Sequence, residues 1–510
     1  MAVDTHGFNY LMLSDVHLGS DLVQHAAPWT APRLSQAREV DEQLVSMLAH
    51  YQHAADPQRP WKLVLAGDFI DLVGMSVAPT AADSTAPTAE ELRHGLGNAS
   101  AQSAAKMCMV VERHRRVFAA LGAFVRAGHH LIMVRGNHDV ELYWLAAQAV
   151  FRQALVELQP QAPSPSEQAA MMDRVRFCDW FYYEPGILYV EHGHQYDETC
   201  AHRYQLAPLC PRDGSRLSYS FSDILLRYIV RPTRGLSSDG HENCNVLHYV
   251  RLGASLGMWE CARLAGRFGR ALAGMVRAWR NQTPLALSHI ERLHEERLHA
   301  LAGQLGVSRG RLRALQDLSV TPVTAGLQHI ARSVFFDRLA ALGALGAMLL
   351  VLWRAQFLPL GGLASLGVAA ALPLALRLHN ARVMDPDELL KERAAELARI
   401  LPARFVVMGH THLPRFERAG DARYVNLGFW AGDDSEAPVA AAPPCSHLVL
   451  RHDGARHQPA LLAWNSRTGV RFLDVDRDAD GAGNGAGGQF PAKPSLPVRP
   501  SVGRPIGAMG

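Results

Sequence analysis

Lys62-Leu63-Val64-Leu65-Ala66-Gly67-Asp68 is a short apolar run that stops at Gly-Asp. It reads as a buried β-strand: a few apolar residues bounded by a turn residue suit a strand covered on both faces. An aspartate just past such a strand stands where open α/β sheets place their sites. Asp68 is therefore the candidate for a carboxylate shared by two metal ions. Four further polar clusters follow strand-like runs in the same way: Asp15-Val16-His17, Gly136-Asn137-His138-Asp139, Glu191-His192-Gly193-His194 and Gly409-His410-Thr411-His412.

The rest of the chain frames this reading. At 510 residues it has the length of two or three domains. With 48% hydrophobic and 19% charged residues it is a globular composition, and a net charge of +3 gives no global argument for nucleic acid. Seven cysteines without a Cys-x-x-Cys pair argue against a disulfide framework or a zinc knuckle and favour a reducing compartment. No basic stretch followed by an apolar one opens the chain, so no secretory leader is expected.

In order, strands are expected at 9–14, 62–66, 130–134, 187–190, 405–408, 424–427, 447–451 and 459–464. Helices are expected at 33–51, 105–126 and 141–158. Stretches 80–101 and 160–167 read as loops, and the Gly-, Ala-, Asp- and Pro-rich end from about 475 as a disordered tail. This divides the chain into a core segment 1–198, a mostly helical insertion 199–398, a second core segment 399–474 and a tail 475–510.

Two features of the insertion bear on partners. The helix expected at 250–280 has Arg263, Arg267, Arg270 and Arg277 on one face and Leu264, Phe268, Leu272, Met275 and Trp279 on the other. That is a solvated face over a core face, or an interfacial helix on anionic lipid. Then 339–353 and 357–376 carry no charge, and the second is long enough for a bilayer, which takes about 20 residues. His192 precedes the insertion and His410 follows it, and both must reach one site. An odd number of membrane crossings is therefore excluded. A two-helix hairpin, a monotopic element or a buried soluble pair remain, and membrane contact through 250–280 and 339–376 is the expectation.

As a ligand set, Asp15, His17, Asp68 and His412 would hold one ion, and Asp68, Asn137, His192 and His410 the other. Imidazole nitrogen mixed with carboxylate and amide oxygen, without thiolate, suits Mn²⁺, Fe or Zn²⁺ better than Ca²⁺, with Mn²⁺ the first expectation. Two ions bridged by a carboxylate polarise a bound phosphate and activate water. His138, beside Asn137, is the candidate acid for the leaving group, since its ordinary pKa lies near neutrality. Asp139 or Asp71 could orient it. Each cluster alone has a plain structural alternative: Asp71 as a helix cap, Gly-Asn as a turn, paired histidines at a strand end by accident. Five of them in order, each after a strand, do not.

The ordered set Asp-x-His, Gly-Asp, Gly-Asn-His-Asp, x-His and Gly-His-x-His resembles the calcineurin-like metallophosphoesterase superfamily over about 8–198 and 400–470. The resemblance implies an α/β fold, a four-layer α/β/β/α sandwich here carrying a large, mostly helical insertion, with the site at the strand ends. It also implies the ligand assignment above and acid catalysis by His138; Gly136, Gly409 and Gly428 match the family's tight turns. His194 is extra to the pattern and reads as a residue behind the ligands, a substrate contact or a surface histidine.

The resemblance leaves the substrate open among phosphoproteins, cyclic nucleotides, nucleic acids and the pyrophosphate of UDP-2,3-diacylglucosamine. Relatives acting on the last carry a helical insertion at the same place, but have arginine where this chain has His138. The expected activity is hydrolysis of a phosphate ester or pyrophosphate of a membrane-associated substrate, by a cytoplasmic protein at the inner face of the membrane. A soluble nucleotide or phosphoprotein phosphoesterase with the insertion as a cap, and a non-catalytic scaffold, are the alternatives. A nuclease is not expected, because no basic groove with interleaved aromatics is legible.

Overall fold

Strands β1 (Asn9–Leu13), β2 (Trp61–Ala66) and β3 (His130–Val134) are apolar on both faces, and each face has its own partner. Leu11, Leu13, Leu63, Leu65, Leu131 and Met133 pack into one buried cluster; Tyr10, Met12, Val64, Ala66, Ile132 and Val134 pack into another. Alternation with a period of two sends successive side chains to opposite faces. An entirely apolar strand must therefore sit between two layers. The computed structural model describes residues 7–23, 31–55, 58–79, 88–233, 246–280, 283–333, 386–430 and 445–473. The apolar stretch 339–376 and the tail from 475 lie outside them.

After β1 come helices α1 (Ala31–His53), α2 (Ala89–His94), α3 (Ser100–Arg113) and α4 (Arg115–Arg126). Beyond β3 follow α5 (Leu145–Glu157), α6 (Pro165–Asp173), β4 (Val175–Cys178), β5 (Phe181–Glu184) and β6 (Leu188–Glu191). The insertion holds a hairpin, β7 (Leu209–Cys210) with β8 (Asp213–Leu217). It also holds α7 (Phe221–Leu225), α8 (Val246–Arg280), α9 (Pro284–Leu305), α10 (Arg309–Gln316) and α11 (Leu327–Ser333). Helix α12 (Pro386–Ile400) leads into β9 (Phe405–Met408), β10 (Arg415–Ala419) and β11 (Ala422–Asn426). The last strands are β12 (Ser446–His452), β13 (His457–Asn465) and β14 (Gly469–Phe472).

One sheet runs β14-β13-β12-β1-β2-β3-β4, and the other β10-β11-β9-β6-β5. Between them lies an apolar layer built from Tyr10, Val64, Ile132, Leu188, Val407 and Leu448 among others. Outside the first sheet, α1, α3, α4 and α5 cover it through residues such as Leu44, Met107, Phe118 and Phe151. Outside the second, Leu390, Ala394 and Leu397 of α12 and Leu298 of α9 pack against Tyr189, Val406 and Tyr424. The mixed α/β sandwich with a helical insertion is as expected.

Strand β6 pairs in parallel with β9, although more than two hundred residues separate them. A parallel neighbour needs a crossover, and a helix usually supplies it. Helix α12 does so here, and it packs in the outer layer against the second sheet. The chain leaves the second sheet just after His192, at the end of β6, and the insertion follows from there. It therefore departs from the end of the sheet that carries the polar clusters.

Four local readings change. The supposed loop at 80–101 contains α2, begun by a Thr88–Glu91 capping box, and the loop at 160–167 runs into α6, begun by a Ser164–Glu167 capping box. Strands β4 and β5 precede the strand first expected at 187–190. The single helix expected at 105–126 is two. It breaks at His114, whose Nδ1–H is donated to Asp41 Oδ1 at 2.7 Å while Nε2 accepts from the Gly19 amide at 3.0 Å. The break ties the loop after His17 to α1.

In α8 the apolar face is largely occupied within the protein. Leu264, Leu272, Met275 and Trp279 pack with Phe221, Ile224, Ile229, Val323 and Ile330. Phe268 stays 39% exposed, Trp259 is exposed as well, and Arg267 donates to Thr233 Oγ1 at 2.8 Å. Among the described residues no helix is long and apolar enough to cross a membrane.

His447 on β12 is fully buried, and Tyr51 Oη of α1 lies 2.7 Å from its Nε2. Burial, reinforced by the charge of His50 and opposed by the hydrogen bond to the Cys445 carbonyl, pushes its pKa from 6.5 down to about 4. The fold thus holds the neutral ring, and the unfolded chain takes the extra proton. This contribution to stability is whole above about pH 6.5 and is lost as pH falls towards 4, by at most about 3 kcal/mol. Thermal unfolding of His447→Gln followed from pH 7 to 4 should show a shallower acid loss than the wild type; an unchanged slope would contradict this.

Candidate metal centre

The five polar clusters meet at one place because of strand direction. Strands β1, β2 and β3 run parallel in one sheet, and β6 and β9 run parallel in the other. Asp15, Asp68, Asn137, His192 and His410 each follow the carboxyl end of one of them. The loops are also stitched together. Asp15 N donates to Gly67 O at 3.2 Å, Val16 N and His17 N both donate to Asp68 O at 3.0 Å, and Gly409 N donates to His192 O at 3.0 Å.

These loops hold unusual backbone conformations. Asp15, His17, Asp68, His410 and His412 have φ of 54°, 54°, 50°, 72° and 59°, and the one other non-glycine with positive φ among the described residues is Cys445. Left-handed backbone costs on the order of 1–3 kcal/mol at a non-glycine residue and collects where function demands a geometry. Gly136 has a different reason: a Cβ there would collide with the Asp68 carboxylate, so the third loop can pass only as glycine.

Side chains converge accordingly. His412 Nε2 is 3.2 Å from Asp15 Oδ1, and His17 Nε2 and His192 Nε2 are each 4.0 Å from the same oxygen. His192 Nε2 lies 3.1 Å from Asp68 Oδ2 and 3.1 Å from Asn137 Oδ1. Its other nitrogen, Nδ1, faces the Ala66 carbonyl at 3.0 Å, which fixes Nε2 as the ligand atom. Among the described residues four groups are compact enough for an ion: Asp15–His17–His412 and Asp15–Asp68–His192, which share Asp15, His17–Asp71–His138 beside them, and Asp197–Cys200–His410. The structure thus brings Asp15, His17, Asp68, Asn137, His192 and His412 to one centre.

Three residues are placed differently from the simplest expectation. His410 Nε2 is turned to Asp197 Oδ2 at 3.1 Å, so it groups with Asp197 and Cys200, and Nδ1 is the nitrogen left to serve the second ion. Asp139 does not orient His138. Its carboxylate accepts from Gly136 N at 2.6 Å and Phe69 N at 3.2 Å, bracing the second and third loops. The carboxylate on His138 is Asp71, whose Oδ1 accepts from Nδ1–H at 2.7 Å. His194 is not a surface residue: it is buried, with its ring centroid 5.5 Å from that of His192 and its Nε2 against Gln195.

Electrostatics test whether these residues fit a pair of cations. Burial by itself would raise the Asp68 carboxyl, but the charges of His192 and His138 hold it well below the ordinary range. For Asp15, burial is likewise outweighed by His192 and His412, leaving it at about 2. His192 pays the converse: burial lowers it, yet Asp68 and Asp15 raise it to about 9. Asp139 is pushed up to about 7 by burial and by the charge of Asp68. Carboxylates this buried demand compensating positive charge. The imidazoles supply it only by giving up the lone pairs that converge on the same point. Divalent cations satisfy both requirements, so the donor set fits them.

Residues 8–231 match the family model described as calcineurin-like phosphoesterase. No curated protein matches the chain. The family implies metal-dependent phosphoester hydrolysis and typically binds two divalent ions, and the described residues hold candidate groups for them.

Two variants probe the assignment. Asp68→Asn should lower the bound metal from about two ions per chain to one or fewer by elemental analysis. Asp197→Ala should weaken one ion by about 10–100-fold in a Mn²⁺ titration while sparing the other. Full occupancy in both would refute the centre.

Proposed function

We propose, on the premise that residues 8–231 are a calcineurin-like phosphoesterase domain, that this protein hydrolyses a phosphate ester or pyrophosphate at a dinuclear centre. That centre would be held by Asp15, His17, Asp68, Asn137, His192, His410 and His412. The observation that carries this reading is Asp68. Its Oδ2 faces His192 at 3.1 Å and its Oδ1 accepts the His138 amide at 2.8 Å, so it joins the Asp15–Asp68–His192 group to the third loop.

When bound, two divalent ions, Mn²⁺ foremost, would polarise the phosphoryl group and activate water. The protein's own residues do the rest. Asp15 and Asp68 fix the charge of the site, His192 is locked in one tautomer by Ala66, and His138 moves the proton. With Nδ1–H donated to Asp71, the ring nitrogen that meets the leaving oxygen is Nε2. Asp71 stabilises the ring while it carries the extra proton. His138 is 17% exposed, enough for substrate to reach it, and Asp71 is 3% exposed.

For the substrate we keep the membrane-associated class. What supports it is the insertion's departure from the site end of the sheet, and on α8 the exposed Trp259 and Phe268 beside the exposed Arg263 and Arg270. The stretch 339–376 extends the argument in sequence only.

The test is hydrolysis of bis-p-nitrophenyl phosphate and p-nitrophenyl phosphate with added Mn²⁺. Activity should appear with the metal, vanish with chelator, and be abolished in Asp68→Asn. His138→Ala should bind metal normally and slow turnover of esters with poor leaving groups by about a hundredfold or more. Metal-loaded, folded protein without activity on either ester, or metal loss in His138→Ala, would contradict the reading.

A further inference from the structure

We infer that Arg231, presented by the turn that follows α7, is a positioning residue for proton transfer: it locks Asp71 so that Asp71 holds His138 in its working orientation. The inference rests on the phosphoesterase reading above and goes beyond it, because it gives a residue outside the ligand clusters a part in the reaction centre.

The Asp71 carboxylate is saturated from three sides. Oδ1 accepts from the Gly74 amide at 2.6 Å and from His138 Nδ1–H at 2.7 Å. Oδ2 accepts from Arg231 Nη2 at 3.1 Å, across 160 residues of sequence. The same guanidinium donates through Nη1 to the carbonyl of Ser20, in the loop that follows His17, at 3.3 Å. Arg231 thus spans two site loops with one planar group, which a flexible ammonium would not do. Asp71 is buried and Arg231 nearly so, with side chains 3% and 10% exposed. Without the guanidinium, Asp71 would be a buried anion held through Oδ1 alone, with Oδ2 unpaired.

Two further observations say that this contact is built rather than incidental. Gly74 is required for it: a Cβ there would collide with Asp71 Oδ2 and Arg231 Nη2 at once. The backbone that presents Arg231 is also shaped for it. Helix α7 opens with a Ser220–Asp223 capping box, and its continuation 226–230 is a π turn closed by Arg231 N donating to Leu226 O at 3.0 Å. Such wide turns are rare and cluster at functional sites. One residue into that turn, Arg227 clamps the segment to the core by donating to the carbonyls of Leu96 at 3.0 Å and Gly95 at 2.7 Å.

Full-length, Mn²⁺-loaded wild type, Arg231→Met, Arg231→Lys and Gly74→Ala would be compared on two esters of the same phosphoryl group. A p-nitrophenyl ester departs without a proton; an alkyl ester needs one. Arg231→Met and Gly74→Ala should keep their metal and lose about 10–100-fold in kcat on the alkyl ester, with KM little changed and the nitrophenyl ester nearly unaffected. Arg231→Lys should recover part of the loss, and so should added guanidinium with Arg231→Met. Equal loss on both esters, loss of metal, or no loss on either would overturn the inference. If Arg231→Met does not fold, Gly74→Ala and Arg231→Lys decide it by the same criteria.

A second readout needs no activity. Ring ¹⁵N shifts of His138 in the metal-free full-length protein should report one Nδ1–H tautomer in wild type and a mixture in Arg231→Met. An unchanged single tautomer would overturn the inference. An inactive wild type that still showed the tautomer change would instead count against the phosphoesterase reading alone.

Discussion

The structure turns on buried carboxylates at the ends of parallel strands. Asp15 and Asp68 are essentially inaccessible, side by side, and surrounded by imidazoles. The amides of His410 and His138 donate to Asp15 Oδ2 and Asp68 Oδ1, and two anions this buried call for positive charge beside them as well. The rest of the fold follows as the means of holding that arrangement. Strands apolar on both faces fix where each chain end emerges. Left-handed backbone at five of the candidate ligands aims their side chains, and amide-to-carbonyl bonds between loops hold the aim. Strain of this kind persists only where the surroundings over-determine it, and here two sheets and their covering helices do so.

The insertion acquires a role from topology before any side chain is considered. The chain leaves the end of β6 immediately after His192, and α12 brings it back beneath the second sheet to start β9. Whatever the insertion folds into must therefore begin at the site end. The residues that lead into it use that position. Residues 195–199 carry Asp197 to His410, and their backbone bonds with Ser222, Val320 and Val323 fasten later parts of the insertion to them. The π turn then carries Arg231 to Asp71. The two sides of the centre are thus braced by residues outside the ligand motifs.

Most of the sandwich, and the polar clusters that converge at its strand ends, were legible in the sequence, for a specific reason. A strand covered on both faces leaves an unbroken apolar run, and a polar ligand after it is conspicuous, as at Leu63–Asp68. Gly-Asn-His-Asp and Gly-His-Thr-His were legible for the same reason. What escaped depends on local chemistry outranked by composition, or on contacts distant in sequence. The capping boxes at Thr88–Glu91 and Ser164–Glu167 were written in the chain, but hidden in Ala-, Ser- and Pro-rich stretches that read as loops. The break at His114 is invisible from periodicity, because a tertiary bond to Gly19 and Asp41 makes it. Asp197 and Arg231 meet their partners across 213 and 160 residues, and no spacing rule reaches that far. Between Asp139 and Asp71 as the partner of His138 the sequence leaves the choice open, because adjacency favours Asp139, whereas the turn sends its carboxylate back to Gly136 and Phe69.

The central claim is that Asp68 bridges two cations. Electron paramagnetic resonance of the Mn²⁺-loaded full-length protein tests it most directly, since two Mn²⁺ ions sharing a carboxylate lie about 3.5–4 Å apart and couple. The account predicts an exchange-coupled pair signal in the wild type that collapses to an isolated-ion spectrum in Asp68→Asn. An isolated-ion spectrum in the wild type at saturating Mn²⁺ would contradict it.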